Sequence, residues 1–430
     1  MTTSPISSAP NGHGTTQRYL AYATIQPDWA DVVTDVREAK VSEEVFWLSC
    51  YRRVHGSVRV TPSPSTSQER SQRPRMAGES GVDASLLNSH TLSVSCPNLG
   101  VDGVLIHTPT QSHSVFDSDT KLLSFDVSPG EELLAIGGSN GRLSVLHVPD
   151  GVCRLDLTQD IPTDISLCRF FPSGQVLLTG GTDMRLRVWS ALDGSCPVTL
   201  IGHTGGITDT ALVDRGRTVY SSSRDGTVRL WELSSSRSLQ HWSFEDEGPV
   251  VALSLSNTRY GEEDGSSQSS QNLLSIGTQH GQIHGMDTRT HDQVIHLNAG
   301  DTESLTSMAL EEGGYGCAVA FASGNVYTFD LRSPDTPVMQ VTRNGSEITS
   351  VTWTNSTVSS LSALRCTTHD GATFAFPASS SSSSSMVDGE GDTVRIIEEW
   401  SGSELETVLG SRKTSSRVWT ASRDNCIRMY

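Results

Sequence analysis

Hydrophobic and polar positions alternate along most of the chain in short units that end in a large apolar residue. The clearest unit reads Ser223-Arg224-Asp225-Gly226-Thr227-Val228-Arg229-Leu230-Trp231. Apolar residues two positions apart are typical of a β-strand between two packed faces. Gly226 tolerates a positive φ, and Asp225 can accept hydrogen bonds from nearby backbone amides. The unit therefore predicts a tight hairpin turn that leads into a half-buried strand.

This unit occurs seven times between Asn140 and Tyr430. The positions equivalent to Gly226, called reference positions below, are Gly141, Met184, Gly226, Gly281, Gly324, Gly371 and Asn425. Five residues after each of them stand Leu146, Trp189, Trp231, Met286, Phe329, Phe376 and Tyr430. The intervals are 43, 42, 55, 43, 47 and 54 residues. A period near 40–45 residues is typical of WD-repeat β-propellers. We therefore predict an all-β, seven-bladed WD-repeat β-propeller with a small N-terminal α/β extension.

The resemblance to WD-repeat proteins implies a buried hydrogen-bonded network within each blade. In that family a His before the first strand, the turn Asp, a strand Ser or Thr and the Trp are linked. Here the resemblance assigns His203, Asp225 and Trp231 to such a network. Asp183 and Trp189 keep two of its members in the preceding unit.

The last unit needs an outer strand from elsewhere, because Tyr430 ends its third strand. Two stretches before the first unit, residues 103–107 and 112–116, are candidates, and the pattern does not choose between them. Either would close the ring and remove two open sheet edges.

The N-terminal part of the chain lacks the repeated unit. Residues 1–19 predict a disordered tail, and residues 20–60 a small subdomain. In it, Asp28 would cap a helix whose Trp29, Val32, Val33 and Val36 share one face. Residues 45–48 predict a buried strand. Residues 61–85 predict a Pro/Ser/Arg-rich linker, and residues 86–430 the propeller.

Composition excludes several classes of protein. The formal charge of −18 argues against duplex nucleic acid as the main partner and favours a basic protein surface. No apolar run approaches the ~20 residues that a membrane helix needs, and the start lacks the apolar core of a signal peptide. Eight Cys without a Cys-x-x-Cys pair indicate reduced thiols. We expect a cytoplasmic and nuclear monomer that binds neither membrane nor nucleic acid.

The acidic residues concentrate in the loops that join the outer strand of one unit to the inner strand of the next. In a propeller these loops and the hairpin turns lie on one face, and two arginines beside the turn Asp project from it. We predict an acidic partner-binding face that consists of Asp117, Asp119, Asp160, Asp164, Arg224, Asp246, Glu247, Asp301, Glu303, Glu347, Glu404 and Arg423. The alternative, left equally open, is a set of ordinary solvated loops.

No catalytic, cofactor or metal site is predicted, and the protein is not expected to be an enzyme. Residues 137–141 match the Gly-x-Ser-x-Gly pattern of a nucleophile elbow, but they fall in a hairpin rather than at a strand-to-helix turn. His280, His284, His291 and His296 are close in sequence, but they do not share a helical face, and no Cys or acid stands at a matching spacing. Structural or surface roles are therefore predicted for these histidines.

Residues 168–231 carry a more specific resemblance. They contain Cys168-Arg169-Phe170-Phe171-Pro172-Ser173-Gly174, Gly205-Gly206-Ile207-Thr208-Asp209-Thr210-Ala211 and Val213-Asp214-Arg215-Gly216-Arg217, which resemble the proteasomal ATPase-associated factor family. The resemblance implies a non-enzymatic assembly chaperone of the 26S proteasome regulatory particle. It would bind the helical C-terminal domain of a base ATPase and hinder premature docking to the proteolytic core. The alternative is a WD-repeat scaffold or substrate receptor in another complex, such as a ubiquitin ligase or a ribonucleoprotein assembly.

Overall fold

The computed structural model describes residues 17–51, 55–63, 75–78, 81–117, 119–158, 162–256, 273–355, 362–378, 394–403 and 405–430. The strands of these residues form six four-stranded sheets, one five-stranded sheet and one seven-stranded sheet. None of the helices among them is long and apolar enough to cross a membrane.

The N-terminal part contains one small sheet with a helix. Its elements are β1 (Arg18–Tyr19), β2 (Tyr22–Ile25), α1 (Trp29–Arg37), β3 (Phe46–Tyr51), β4 (His55–Ser63) and β5 (Arg75–Gly78). Strands β2 to β5 form an antiparallel sheet in chain order. Helix α1 buries Trp29, Val32, Val33 and Val36, as the sequence predicts. The predicted cap is wrong: Asp28 precedes the helix but makes no side-chain hydrogen bond to it, and its Oδ1 accepts from Gln26 Nε2 at 2.8 Å.

Three strands, β6 (Asp83–Asn88), β7 (Thr91–Cys96) and β8 (Val101–His107), follow as an antiparallel set. Strand residues therefore occur at both ends of the segment 61–85 and on both sides of residue 85. The predicted division into tail, subdomain, linker and propeller stays a prediction.

The repeated units form antiparallel sheets whose strands run in chain order from the inside of the molecule to the outside. After β9 (Gln111–Ser114), the first three sheets consist of β10 (Leu122–Val127), β11 (Leu133–Gly138), β12 (Arg142–His147), β13 (Val152–Thr158); β14 (Leu167–Phe170), β15 (Val176–Gly180), β16 (Arg185–Ser190), β17 (Val198–Ile201); and β18 (Ile207–Val213), β19 (Thr218–Ser223), β20 (Thr227–Glu232), β21 (Arg237–Ser243).

The later units continue the same pattern. They consist of β22 (Val250–Ser256), β23 (Leu273–Thr278), β24 (Gln282–Asp287), β25 (Gln293–Asn298); β26 (Leu305–Leu310), β27 (Gly316–Phe321), β28 (Asn325–Asp330), β29 (Met339–Thr342); β30 (Ile348–Asn355), β31 (Ser362–Thr368), β32 (Thr373–Pro377), β33 (Glu398–Trp400); and β34 (Val408–Lys413), β35 (Val418–Ser422), β36 (Cys426–Met429). Strand β1 adds to β29 in parallel orientation.

The sheets of the repeated units, without the N-terminal sheet β2 to β5, form a closed ring. The first strand of each sheet contacts the first strand of the next, and β34 contacts β10. These first strands surround a central channel of about 720 Å³. Large side chains such as Trp231, Trp419 and Phe321 are buried in the sheets. The predicted all-β propeller is therefore confirmed.

Of the two candidate closing stretches, the second supplies the outer strand of the last sheet. Strand β9 pairs antiparallel with β36, in the register Ser114 to Cys426 and Gln111 to Met429. Strand β8 instead pairs in parallel with β33, so that β6, β7 and β8 extend the sheet of β30 to β33 to seven strands. N-terminal strands thus pair with the outer strands of the last three sheets: β1 with β29, β8 with β33 and β9 with β36.

Candidate partner-binding face

The up-and-down order of the strands places two kinds of segment at one end of the ring. These are the connecting loops from each outer strand to the next first strand, and the turns between the second and third strands. Backbone hydrogen bonds between them confirm the shared location: Arg224 N donates to Gly206 O at 2.9 Å, and Arg423 N donates to Thr407 O at 2.9 Å. We call this end of the ring the loop face.

The sheet of β18 to β21 holds the hydrogen-bonded network that the family resemblance implies. His203 bonds Asp225 Oδ2 through Nδ1 at 2.9 Å and Ser221 Oγ through Nε2 at 2.8 Å. Trp231 Nε1 donates to the same Ser221 Oγ at 2.8 Å. The network links a connecting loop to a turn and to two strands, and it thus stabilises the loop face.

Burial and hydrogen bonding set the ionisation of this network. Burial alone would raise the pKa of Asp225, but donors that include the Thr204 backbone amide and the Thr227 hydroxyl lower it to about 2. Burial lowers the pKa of His203, and it outweighs the opposing effect of the Asp225 carboxylate. The pair therefore resists protonation of the imidazole as well as of the carboxylate.

In two other sheets, an Arg three residues after the reference position contacts the turn Asp in place of a His. Arg187 Nη2 lies 2.6 Å from Asp183 Oδ2, while Trp189 Nε1 donates to Thr179 Oγ1 at 2.9 Å. In the last sheet Arg428 is ion-paired with Asp424. These arginines were not predicted, although both stand three residues after the reference position, and that constant spacing is a signal in the sequence.

The predicted partner-binding residues divide into two groups. The side chains of the larger group are exposed at the loop face: Asp117, Asp119, Asp164, Arg224, Asp246, Glu303, Glu347 and Arg423. Asp301 is instead engaged internally, since its Oδ2 accepts from Ser323 Oγ and Asn325 Nδ2 at 2.9 Å each. Glu247 Oε2 lies 2.6 Å from His284 Nε2. Asp160 and Glu404 lie outside the described residues. A partner-binding role for any of them stays a prediction.

An apolar cleft of about 420 Å³ opens beside the loop face. One wall is the N-terminal sheet, with Ile25 and Trp47, and the other is the turn after β31 and the loop after β33. Leu405 stands at its rim with 89% of its surface exposed and a φ of 61°. A bulky residue at positive φ is uncommon and costs conformational energy. The sequence patterns did not reveal this cleft, because its walls are far apart along the chain.

Charged groups lie at the base of the cleft. Arg343 stacks over the Tyr22 ring at 3.9 Å and lies 3.7 Å from Glu399 Oε2 and 4.0 Å from Asp370 Oδ2. Glu399 Oε1 accepts from Ala23 N at 3.3 Å. Burial raises the pKa of Glu399 to about 7, because it outweighs the lowering effect of Arg343. This cluster joins the N-terminal sheet to the ring.

Among the described residues, one group of side chains is close enough to hold a metal ion: Glu247, His284 and His296. The spacing of the histidines did not reveal Glu247, which comes from the preceding connecting loop. The elbow-like residues 137–141 lie at the end of β11 and in the turn into β12, as the repeat predicts.

Family models match two parts of the chain. Residues 153–190 and 194–232 match the WD domain, G-beta repeat. Residues 252–406 match the N-terminal domain of Nucleolar protein 10-like proteins, described as a β-propeller. The WD-repeat character that the turn and anchor residues predict is therefore confirmed.

Several curated proteins are similar to the chain. The 26S proteasome regulatory subunit RPN14 of Saccharomyces cerevisiae is 34% identical over 218 residues, which cover 47% of this chain and 51% of the relative. Pre-mRNA-processing factor 19 of Oryza sativa subsp. japonica is 24% identical over 268 residues, covering 60% and 48%. The chain thus spans about half the length of these relatives. The resemblance to a proteasome-associated WD-repeat family is confirmed.

Proposed function

We propose that this chain, a WD-repeat β-propeller similar to a 26S proteasome regulatory subunit, is a non-enzymatic chaperone of regulatory-particle assembly. It binds the C-terminal domain of a base ATPase and hinders premature docking to the proteolytic core, in the cytoplasm and the nucleus. The observation that carries the proposal is the 34% identity over 218 residues with RPN14.

We further infer a seven-bladed ring. The inference is supported by the order of contacts among β10, β14, β18, β22, β26, β30 and β34, the first strands of successive units. In this arrangement β9 completes the last blade and leaves the loop face uninterrupted around the channel.

The loop face supplies the charge for partner recognition. Six of the predicted acidic side chains and two arginines are exposed there. A surplus of carboxylates attracts a Lys- and Arg-bearing partner and speeds its encounter, while the two arginines restrict its orientation. Since such contacts are exposed, they contribute more to association rate and selectivity than to total affinity.

The apolar cleft supplies the anchor. Leu405 and Trp47 are 89% and 42% exposed, and they border a space large enough for one or two apolar side chains. Glu347 lies next to it, because its carbonyl accepts from the His369 amide beside Asp370. A helix that carries apolar and basic residues on one face fits both features, and buried apolar contacts of this kind supply most of the affinity at interfaces.

The test is direct binding of the purified chain to the C-terminal domain of each base ATPase at increasing salt. We expect one domain to bind, with an affinity that falls as salt rises. Leu405→Asp should weaken the affinity by about tenfold or more. Glu347→Lys should weaken it by about threefold to tenfold. Glu312→Lys, on the opposite end of the ring, is the matched control and should bind normally. Binding to none of the domains would overturn the proposal.

A second candidate is a scaffold in another nuclear complex. The match of residues 252–406 to the Nucleolar protein 10-like model favours it, as does the similarity to pre-mRNA-processing factor 19. Affinity capture from a lysate separates the two. Recovery of ribonucleoprotein or ligase components without a base ATPase would favour the scaffold.

A further inference from the structure

Three metal-ligating side chains meet in the sheet of β22 to β25. Glu247 ends a 3-10 turn in the connecting loop before β22, His284 lies in β24, and His296 lies directly opposite it on β25. One ligand atom from each lies within 4.8 Å of the other two. The three residues come from separate elements, so the fold rather than local sequence brings them together.

A simple Glu–His hydrogen bond does not account for the whole arrangement. It occupies one nitrogen of His284, whose Nε2 lies 2.6 Å from Glu247 Oε2. The other nitrogen, Nδ1, is buried without a partner, in a residue that is 3% exposed. The His296 ring stacks on the His284 ring with centroids 4.8 Å apart and planes at 26°. Two imidazoles and a carboxylate thus share one small volume.

This donor set suits a divalent transition metal. Zinc binds His nitrogen at ~2.0–2.1 Å and carboxylate oxygen at ~2.0–2.2 Å, and sites with two His and one Glu leave a fourth position open. Imidazole ligands disfavour Mg²⁺ and Ca²⁺, which prefer oxygen donors. We propose that Glu247, His284 and His296 form a zinc-class metal site on the fourth sheet of the ring.

The geometry requires one adjustment on binding. The ligand atoms of a tetrahedral zinc site lie about 3.4 Å apart, whereas those of Glu247, His284 and His296 lie within 4.8 Å of one another. His296 is exposed on an outer strand, so its side chain can turn toward the other two. His284 is buried under Phe244, whose ring centroid lies 4.7 Å away, and serves as the fixed ligand. The bound ion would join the connecting loop to β24 and β25.

The preceding sheet offers a matched control. Arg229 and His241 pair across β20 and β21, as His284 and His296 pair across β24 and β25. Arg229 occupies the same place in its repeat, three residues after the reference position, but cannot bind a metal. His241 is exposed as His296 is, yet it lacks the second imidazole. Its replacement changes one surface histidine without touching the site.

The experiment uses the full, untagged chain after chelation and dialysis, titrated with zinc alone by calorimetry and with Co²⁺ by visible absorption. We expect one ion per chain with a Kd of about 10 µM or tighter, and a Co²⁺ spectrum typical of four-coordination. Loss of an outer-shell partner alone weakens metal sites by about 10–100-fold. His296→Ala and Glu247→Gln should therefore weaken binding by about 100-fold or more, and His241→Ala should leave it unchanged.

Two results would overturn the proposal. One is the absence of saturable one-to-one binding of zinc up to about 100 µM. The other is binding that His296→Ala leaves unchanged or that His241→Ala weakens equally. Since His296 is exposed, its replacement should not impair folding, and circular dichroism of each variant verifies this. The site does not depend on the proposed proteasome partner, so the two proposals fail separately.

Discussion

At the scale of single residues, the turn acids Asp183, Asp225 and Asp424 each contact a nearby nitrogen donor, but the donor varies. Asp225 uses His203 from the connecting loop, whereas Asp183 uses Arg187 from the following strand. An arginine at this place reaches the turn from within its own strand, so the loop before that sheet need not supply a His. The units of Asp183 and Asp424 therefore pair their turn Asp without a Gly-His before the first strand.

The His203 network should make stability depend on pH. Because burial lowers the pKa of His203, the unfolded state takes up a proton below about pH 6.5 that the native imidazole resists. Stability contributed by this residue is therefore present above that pH and is lost as the pH falls. His203→Gln should lower the free energy of unfolding by about 1–3 kcal/mol at pH 7.5. It should also reduce the fall of that free energy between pH 6.5 and 5. Urea unfolding at several pH values measures both effects.

A surface histidine provides the comparison. His90 is exposed, so His90→Gln should retain the pH dependence of the unaltered chain. If the free energy of unfolding depended equally on pH in His203→Gln and in the unaltered chain, His203 would not contribute to the pH dependence.

At the scale of elements, the strand that closes the ring comes from before the first unit. Val115 N donates to Asn425 O at 3.0 Å, which makes the next pair, Ser114 and Cys426, a non-hydrogen-bonded pair. The Cα atoms of such pairs lie about 4.5 Å apart, within the range that a disulfide spans. The register of β9 can therefore be tested by cross-linking.

Ser114→Cys should form a disulfide with Cys426 on mild oxidation. The bond would close a very long loop and raise stability by about 2–4 kcal/mol, measured as a shift in Tm that reductant reverses. Peptide mass spectrometry identifies the linkage among the eight native cysteines. Ser112→Cys, which faces Arg428, is the control and should not cross-link to Cys426. A Ser112→Cys linkage to Cys426 would contradict the register.

At the scale of the whole molecule, the N-terminal sheet is attached to the ring through strand pairing and through a buried charge cluster. Leu20 N donates to Thr342 O at 2.9 Å next to the β1–β29 pair. Glu399, Arg343 and Tyr22 then connect β2 to the ring. This attachment also forms the apolar cleft. Weakening the attachment should therefore change the cleft to which the partner is proposed to bind.

Glu399→Gln should stabilise the attachment at high pH. Glu399 has a folded pKa of about 7, above the ordinary ~4.3, so its contribution is most favourable at low pH and falls as pH rises through 7. Gln still accepts from Ala23 N but carries no charge. Between pH 5 and 8.5 the variant should gain roughly 2–4 kcal/mol relative to the unaltered chain, as chemical unfolding measures. The exposed Glu43→Gln should show no such gain, and an equal gain there would contradict the explanation.

Much of the fold could be predicted from the sequence, but less of the site. The helical face of Trp29 and Val33 and the turn at Asp225 depend on neighbours within a few residues, so their patterns are visible. The contact between Glu247 and His284 joins residues 37 positions apart. The contact between Arg343 and Glu399 joins residues 56 positions apart. No local period relates such residues, and both contacts were missed.

The sequence by itself determined the repeating hairpin and hence the propeller, because alternation, tight turns and apolar anchors are local properties of each unit. Only the tertiary structure decided where β8 and β9 pair, since an open sheet edge accepts any strand of suitable shape. It also decided the cleft at Leu405 and the grouping of Glu247 with two histidines. Those features arise where separate sheets meet, and their geometry depends on ring closure rather than on the residues beside them.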